Sequence, residues 1–326
     1  MDTLPLLSIC CSVYNHERFL REALEGILKQ ETTFPVEVVV RDDASSDGTV
    51  AIIEEYAIRF PNLFRLVIYK ENQREKGLRA MPEFVSMARG EFIAICEGDD
   101  FWTSPTKLQS QIDKLEQSPK HSACFHQVNM VNHQSEPTGN TLPLDAYLRE
   151  LTFNDFLEEN PVATCSVVVR REVIPAYTAV ITTLPMLDWP TWIFASLKGP
   201  FAYLPQAMGA YRTHENGVWT RMPSLDRLRS TILLFLALRA ALPKGHSREI
   251  RNRLGRLHLQ LARQLMTSGD LVGARQSLFA SVFHSVSGLH SRNWRDLIVR
   301  QLRMAILLFA RKLGLPPKPT DERPHE

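Results

Sequence analysis

Residues Glu97-Gly98-Asp99-Asp100 place three carboxylates within four positions, at the end of the apolar run Phe92 to Cys96. Such carboxylates repel one another unless a cation or hydrogen-bond donors neutralise them. Hard oxygen ligands suit Mg²⁺ or Mn²⁺, and Mg²⁺ is typically held by one or two carboxylates together with substrate phosphates. The cluster therefore has the chemistry of a nucleotide diphosphate site. A second acidic and hydroxyl-rich segment, Asp42-Asp43-Ala44-Ser45-Ser46-Asp47-Gly48-Thr49, follows the β-branched run beginning at Val36. There a carboxylate can accept the N–H of a pyrimidine ring, and Tyr14 can stack on it. Either segment alone also reads as a solvated turn that caps a helix; two at neighbouring strand ends are hard to attribute to turns.

The elements that must position these groups follow from periodicity. Leu6 to Val13 is an apolar run followed by Tyr14-Asn15-His16-Glu17, after which Phe19, Leu20, Ala23, Leu24, Ile27 and Leu28 recur with helical spacing. Val36 to Arg41 predicts a second strand and Val50 to Phe60 a second helix. Leu63 to Tyr69 and Phe92 to Cys96 predict two more strands, with Pro82 opening a short helix between them at its first position. Ser104-Pro105 reads as a cap and first-turn proline for a helix whose buried stripe is Leu108, Ile112 and Leu115. Further strands are expected near 123–131, 164–170 and 201–212. Alternation of this kind predicts an α/β fold: an open, mainly parallel sheet with helices on both faces, with ligands outside the carboxyl ends of its strands.

Beyond about Pro223 the texture is helical. Ile250, Leu254, Leu257, Leu261 and Leu265 fall on one face, and Gly269-Asp270 marks a turn before Leu271 to Phe283, a hairpin that resembles a single tetratricopeptide unit. The chain's net charge of +2 conceals a division: residues 1–220 carry 19 Lys and Arg against 29 Asp and Glu, and residues 221–326 carry 19 against 7. We expect a domain over 1–222, a basic α-helical region over 223–315 drawn to an anionic surface, and a disordered tail over 316–326. In 292–313, Ile298, Leu302, Ala305 and Phe309 share one helical face, roughly opposite Arg292, Arg300, Arg303 and Arg311. That suits either an interfacial membrane helix or a stripe docked on the rest of the protein. The longest apolar stretches, Ile232 to Leu238 and Met304 to Ala310, fall far short of the roughly 18 residues of a spanning helix. The N-terminus lacks the basic leader of a secretory signal, which predicts a cytoplasmic protein, peripheral on the inner face of the plasma membrane if the basic region binds lipid. Cys10, Cys11, Cys96, Cys124 and Cys165 have no CxxC spacing and read as reduced core residues.

The segments SICCSVYNHERFLREALEGILKQ, VEVVVRDDASSDGT and RGEFIAICEGDDFW resemble the successive blocks of family 2 glycosyltransferases with the GT-A fold, over about residues 5–220. The resemblance implies an inverting transfer of a sugar from a nucleotide diphosphate sugar, a UDP-sugar by this likeness, to a hydroxyl acceptor in cell-surface polysaccharide or glycolipid assembly, with Mg²⁺ or Mn²⁺. By that likeness Ser12 and Tyr14 line the nucleotide pocket, Asp43 meets the base, Asp42 supports the same loop, and Arg79 contacts the nucleotide or diphosphate. Glu97-Gly98-Asp99 occupies the DXD position. Glu97 there departs from the family's first Asp, so the division of metal and sugar contacts among Glu97, Asp99 and Asp100 stays open. Asp188, in Leu187-Asp188-Trp189, matches the segment that supplies the acceptor-activating base, although the family more often has Glu before it. Tyr211-Arg212-Thr213-His214 resembles the late element that closes over the diphosphate, which makes Asp99, Asp100 and His214 the candidate metal ligands.

Several other chemistries lack their residues: there is no GxGxxG after the first strand, no GxxxxGK[ST], no HExxH and no GxSxG. A sugar nucleotidyltransferase would carry a glycine-rich basic loop where Tyr14-Asn15-His16-Glu17 stands. A degenerate nucleotide-sugar-binding scaffold stays open, given Glu97 and Leu187. Nucleic acid is not expected as a partner, because the basic residues of the second half are not interleaved with aromatics. The expected partners are the donor, a saccharide or lipid-linked acceptor, and an anionic membrane.

Overall fold

The computed structural model describes residues 4–76, 79–174, 184, 186–215, 217–286, 300–301 and 304–305. The chain divides into two compact units, Met1–Arg221 and Met222–Glu326.

The first unit is built on a nine-stranded sheet of order β3-β2-β1-β4-β8-β6-β9-β5, with β7 paired to β6. Strands β1 (Leu7–Val13), β2 (Val36–Asp42), β3 (Phe64–Ile68) and β4 (Phe92–Ile95) are mutually parallel where they pair. Every residue of β1 except Ser12 is buried, as expected of a strand covered on both faces. Helices α1 (Leu20–Leu28), α2 (Thr49–Arg59) and α3 (Ala80–Met87) connect these strands. Beyond β4 the sheet becomes mixed. β5 (Phe101–Trp102) leads into α4 (Lys107–Glu116), and β6 (Ala123–Val131) runs antiparallel to β7 (Pro137–Leu142) and β8 (Val168–Arg170) but parallel to β9 (Phe201–Arg212). Helices α5 (Phe153–Glu158) and α6 (Asp188–Ser196) complete the unit. A capping box closes α5: the Thr152 side chain takes the N–H of Asp155, whose carboxylate takes the N–H of Thr152.

The expected α/β architecture is present, with local differences that have physical reasons. α3 starts at Ala80, so Pro82 is its third residue, where a backbone N–H would still have no intrahelical partner. α4 starts at Lys107, two residues after Pro105. The strand expected over 164–170 is a 3₁₀ turn at Thr164–Ser166 followed by β8. β5 and β7 were not foreseen: one has two residues, and the other, PTGNTL, carries no apolar alternation.

The core holds Leu7, Ile9, Val38, Val40, Phe92, Leu24 and Ile53 together with four cysteines. All five cysteines are buried and unpaired, as expected. Burial raises every one of their thiols above the ordinary range, that of Cys124 up to about 12. Gly26 on α1 faces the backbone of Trp102, where an added Cβ would lie 2.7 Å from the carbonyl oxygen. This absence of a side chain lets α1 lie directly against β5.

The second unit contains α7 (Ser224–Ala241), α8 (Ser247–Thr267) and α9 (Leu271–Val286). The foreseen stripe Ile250, Leu254, Leu257, Leu261 and Leu265 is buried. Gly269 adopts φ +90° at the α8–α9 turn, and Asp270 accepts the Gly273 N–H at 2.8 Å to cap α9. Among the described residues no helix is long and apolar enough to cross a membrane. The expected helix over 292–313 and tail over 316–326 lie outside the described residues, apart from Arg300, Gln301, Met304 and Ala305.

Candidate active site

The loops after β1 and β2 hold each other. Asn15, at φ +55°, donates its N–H to Ser45 Oγ (2.9 Å) and accepts the Ser46 N–H on Oδ1 (2.8 Å). The His16 N–H goes to Thr49 Oγ1 (2.8 Å), the Glu17 N–H to Asp47 Oδ2 (3.1 Å) and the Gly48 N–H to Glu17 Oε2 (2.9 Å). Asp42 is wholly buried and accepts both the N–H and the hydroxyl of Ser45. Asp43 sits beside it, accepting the N–H groups of Gln73 (2.8 Å) and Arg74 (3.3 Å), with the Arg41 guanidinium at 3.4 Å. Oδ1 takes both the Gln73 N–H and the Arg41 guanidinium, while Oδ2, which takes the Arg74 N–H, retains a lone pair. Tyr14 is 46% exposed, and the Ser12 carbonyl accepts the Gly98 N–H at 3.0 Å. Arg79 donates to the carbonyls of Arg74 (2.9 Å) and Leu184 (3.1 Å), which ties the segment before α3 to the segment before α6.

Gly98 is tightly seated: a Cβ there would lie 2.5 Å from Val13 and 2.9 Å from His16 Nδ1. This close approach sets Asp99 beside two imidazoles, with Oδ2 at 3.0 Å from His214 Nε2 and 4.0 Å from His16 Nε2. Burial pushes the Asp99 carboxyl upward, but His16 and His214 outweigh it and hold the group below its ordinary value. Burial lowers the His16 imidazole against the opposing pull of Asp99. Asp100 points elsewhere. It is 2% exposed, one oxygen accepts the Arg212 N–H at 2.8 Å, and burial beside Asp99 and Glu97 raises it well above the carboxylate range.

Arg212 locks this corner, donating to the Asp99 carbonyl (2.7 Å), to Ser135 Oγ (2.9 Å) and to Glu22 Oε2 (2.6 Å), with its guanidinium 4.7 Å from the Phe19 ring centre. It was quoted in the sequence motif but given no role there, since its partners lie as far away as Glu22. His16 was likewise passed over, although an imidazole two residues after Tyr14 is a signal in its own right.

Asp188 begins α6, and its Oδ2 accepts the Asn160 amide N–H at 2.6 Å. Burial raises its carboxyl, opposed by hydrogen bonds from the Trp189 N–H and Asn160. Glu97 lies close enough to feel both Asp99 and Asp188; burial and these two charges push it up to about 8, with Arg74 pulling the other way. The structure thus sets Asp99 against His214, leaves Glu97 within the influence of the Asp99 and Asp188 charges, and turns Asp100 toward β9.

Among the described residues no three His, Cys, Asp or Glu side chains form a closed metal cage. The donor set at Asp99 nonetheless fits Mg²⁺ or Mn²⁺, since Asp99 and His214 could hold such an ion from one side with diphosphate oxygens filling the rest of its shell. The arrangement can therefore accept a metal-bound diphosphate at Asp99 and a proton at Asp188.

Several known proteins are similar to this chain. An uncharacterized protein of Mycobacterium tuberculosis, Rv1520, is 40% identical over 214 residues, covering 65% of this chain and 60% of that protein. The match thus spans less than two thirds of that relative's length. The dTDP-rhamnosyl transferase RfbG of Shigella flexneri is 23% identical over 215 residues, covering 63% of this chain and 72% of its own. In fold, S. aureus TarS 1–349 in complex with UDP-GlcNAc superposes with a TM-score of 0.62 at 17% identity, covering 95% of this chain and 92% of TarS. The mannosyltransferase PcManGT from Pyrobaculum calidifontis, in complex with GDP-Man and Mn²⁺, gives 0.56 at 19% identity, covering 96% and 88%. Residues 8–177, more than half of the sequence, match the family described as Glycosyl transferase family 2, and the chain belongs to it.

Proposed function

We propose that the chain transfers a sugar from a nucleotide diphosphate sugar, a UDP-sugar by its likeness to TarS, to the hydroxyl of a saccharide or lipid-linked acceptor, with inversion at the anomeric carbon. The reading rests on one observation above all: Asp99, in the acidic cluster after β4, meets His214, just beyond β9, at 3.0 Å. Asp43 and Tyr14 hold the base, Ser12 lines the same pocket, and Arg79 fixes the segment above the diphosphate. Mg²⁺ or Mn²⁺, held by Asp99 and His214, would neutralise the departing diphosphate. Asp188 Oδ1 takes the acceptor proton as the acceptor oxygen attacks the anomeric carbon from the face opposite the diphosphate, and Asn160 holds Oδ2 meanwhile. No enzyme nucleophile is needed. The basic second unit brings this site to the inner, anionic face of a membrane, where a lipid-linked acceptor is found.

The test is incubation of the purified protein with Mn²⁺ and a panel of nucleotide sugars, with released nucleotide diphosphate as the readout. One donor should be turned over in a metal-dependent way. Absence of turnover with every donor and acceptor, with nucleotide binding retained, would leave a binding scaffold in place of a transferase.

A further inference from the structure

The outer face of α9 carries a row of exposed apolar side chains. Val272 (71% exposed), Phe279 (63%), Val282 (37%) and Phe283 (66%) lie on it at spacings of three, four and seven residues, so they form one stripe along the helix. Single exposed apolar residues are ordinary, but two phenylalanines one turn apart, more than half exposed and flanked by valines, cost free energy in water unless something covers them.

The stripe itself carries a cation. The Arg275 guanidinium lies 5.5 Å from the Phe279 ring centre. His284 stands next to Phe283 with ring centres 5.5 Å apart. Opposing charge is scarce. The acidic residues described in this unit are Asp226, Glu249 and Asp270, against ten arginines. Asp226 faces Arg229 at 3.3 Å, and Asp270 is spent on the α9 cap.

Aromatic side chains projecting from a helix of a basic unit have the chemistry of a surface that enters the headgroup boundary of an anionic bilayer, rings in the acyl region and guanidiniums on the phosphates. We infer that the outer face of α9, through Phe279 and Phe283 with Arg275 beside them in a unit whose described residues are strongly basic, docks on an anionic lipid membrane. This rests on the reading that the second unit meets a membrane, and it names the surface that does so. It differs from the stripe at Ile298, Leu302 and Phe309 that the sequence suggests, since it uses the helix before it.

The experiment is flotation of the full-length protein with phosphatidylcholine vesicles, with and without phosphatidylglycerol, at low and high salt. The wild-type protein is expected to float with the anionic vesicles at low salt only. Phe279→Ser with Phe283→Ser should lower that partition at least about tenfold, with circular dichroism and melting temperature retained. Arg275→Gln should weaken it and reduce its salt dependence, and Leu233→Ser on α7 should leave it unchanged. If the wild-type protein ignores anionic vesicles at low salt, both the membrane reading and this surface fall. If it floats and the double phenylalanine variant floats equally, membrane attachment stands and the α9 surface is overturned. A double variant that changes oligomeric state by light scattering, with vesicle binding intact, would make the stripe a contact between copies of this chain and would also overturn the inference.

Discussion

At the scale of single residues, the site separates holding the donor from moving the acceptor proton. Asp99→Ala removes the carboxylate placed beside both His214 and His16 and is expected to abolish turnover and metal-dependent nucleotide binding together, measurable by calorimetry with UDP and Mn²⁺. Asp188→Asn should leave nucleotide binding nearly intact while lowering transfer by on the order of 10². Because Asp188 must be ionised to accept a proton, kcat/KM should climb as pH rises through its pKa. Burial holds that group up, so the acidic limb belongs above the usual carboxylate value of about 4. Asn160 donates to the ionised form, and Asn160→Ala should move the limb to still higher pH. A limb at the ordinary carboxylate position in both proteins would place the base elsewhere. Asp42, Asp43, Glu97 and Asp99 were legible in the sequence because each stands directly after an apolar run. Asn160 and Arg212 were not, because the partners that give them a role are 28 and 112 residues away along the chain.

At the scale of elements, the approach of α1 to β5 is a point of no tolerance. Gly26→Ala would push a methyl into the Trp102 backbone and should cost about 1–3 kcal/mol by denaturant unfolding, with activity falling as well, since β5 continues directly from Asp100. α4 carries an opposite liability. Lys107 is wholly buried, its ammonium 3.9 Å from the Trp102 ring centre, and burial pulls its pKa down to about 7. The unfolded chain keeps that proton to about 10.5, so between these values the unfolded state binds more protons and stability rises with pH. From pH 7 to 9 this one group adds about 2 kcal/mol, while the five buried thiols, which ionise at about 8.5 once unfolded, subtract from it; the difference in stability between wild type and Lys107→Met should therefore grow by about 2 kcal/mol in favour of wild type in urea titrations. The parallel half of the sheet could be read from apolar runs alone because β1, β2 and β4 are buried on both faces. β7 could not, because a strand of exposed polar residues on the sheet's margin is specified by its partner β6 and leaves no periodic trace.

At the scale of the whole molecule, the boundary near residue 221 coincides with the change from acidic to basic composition. A ligand of the first unit should therefore protect that unit. UDP with Mn²⁺ at about 100 times its dissociation constant should add about 2.7 kcal/mol of stability. In hydrogen exchange the slowing should fall on β1, β2 and β4 and leave α7 to α9 unchanged; slowing confined to the helices would place the nucleotide outside the β1–β4 end. The five cysteines all belong to the first unit and all lie in its core with their thiols held protonated. Only the thiolate reacts with disulfide reagents, so the native molecule should be inert to them while each opened molecule is trapped at once. The chain thus carries its own stopwatch: under excess reagent, the colour released by an aromatic disulfide would record how often the catalytic unit comes apart, with the helical unit silent throughout.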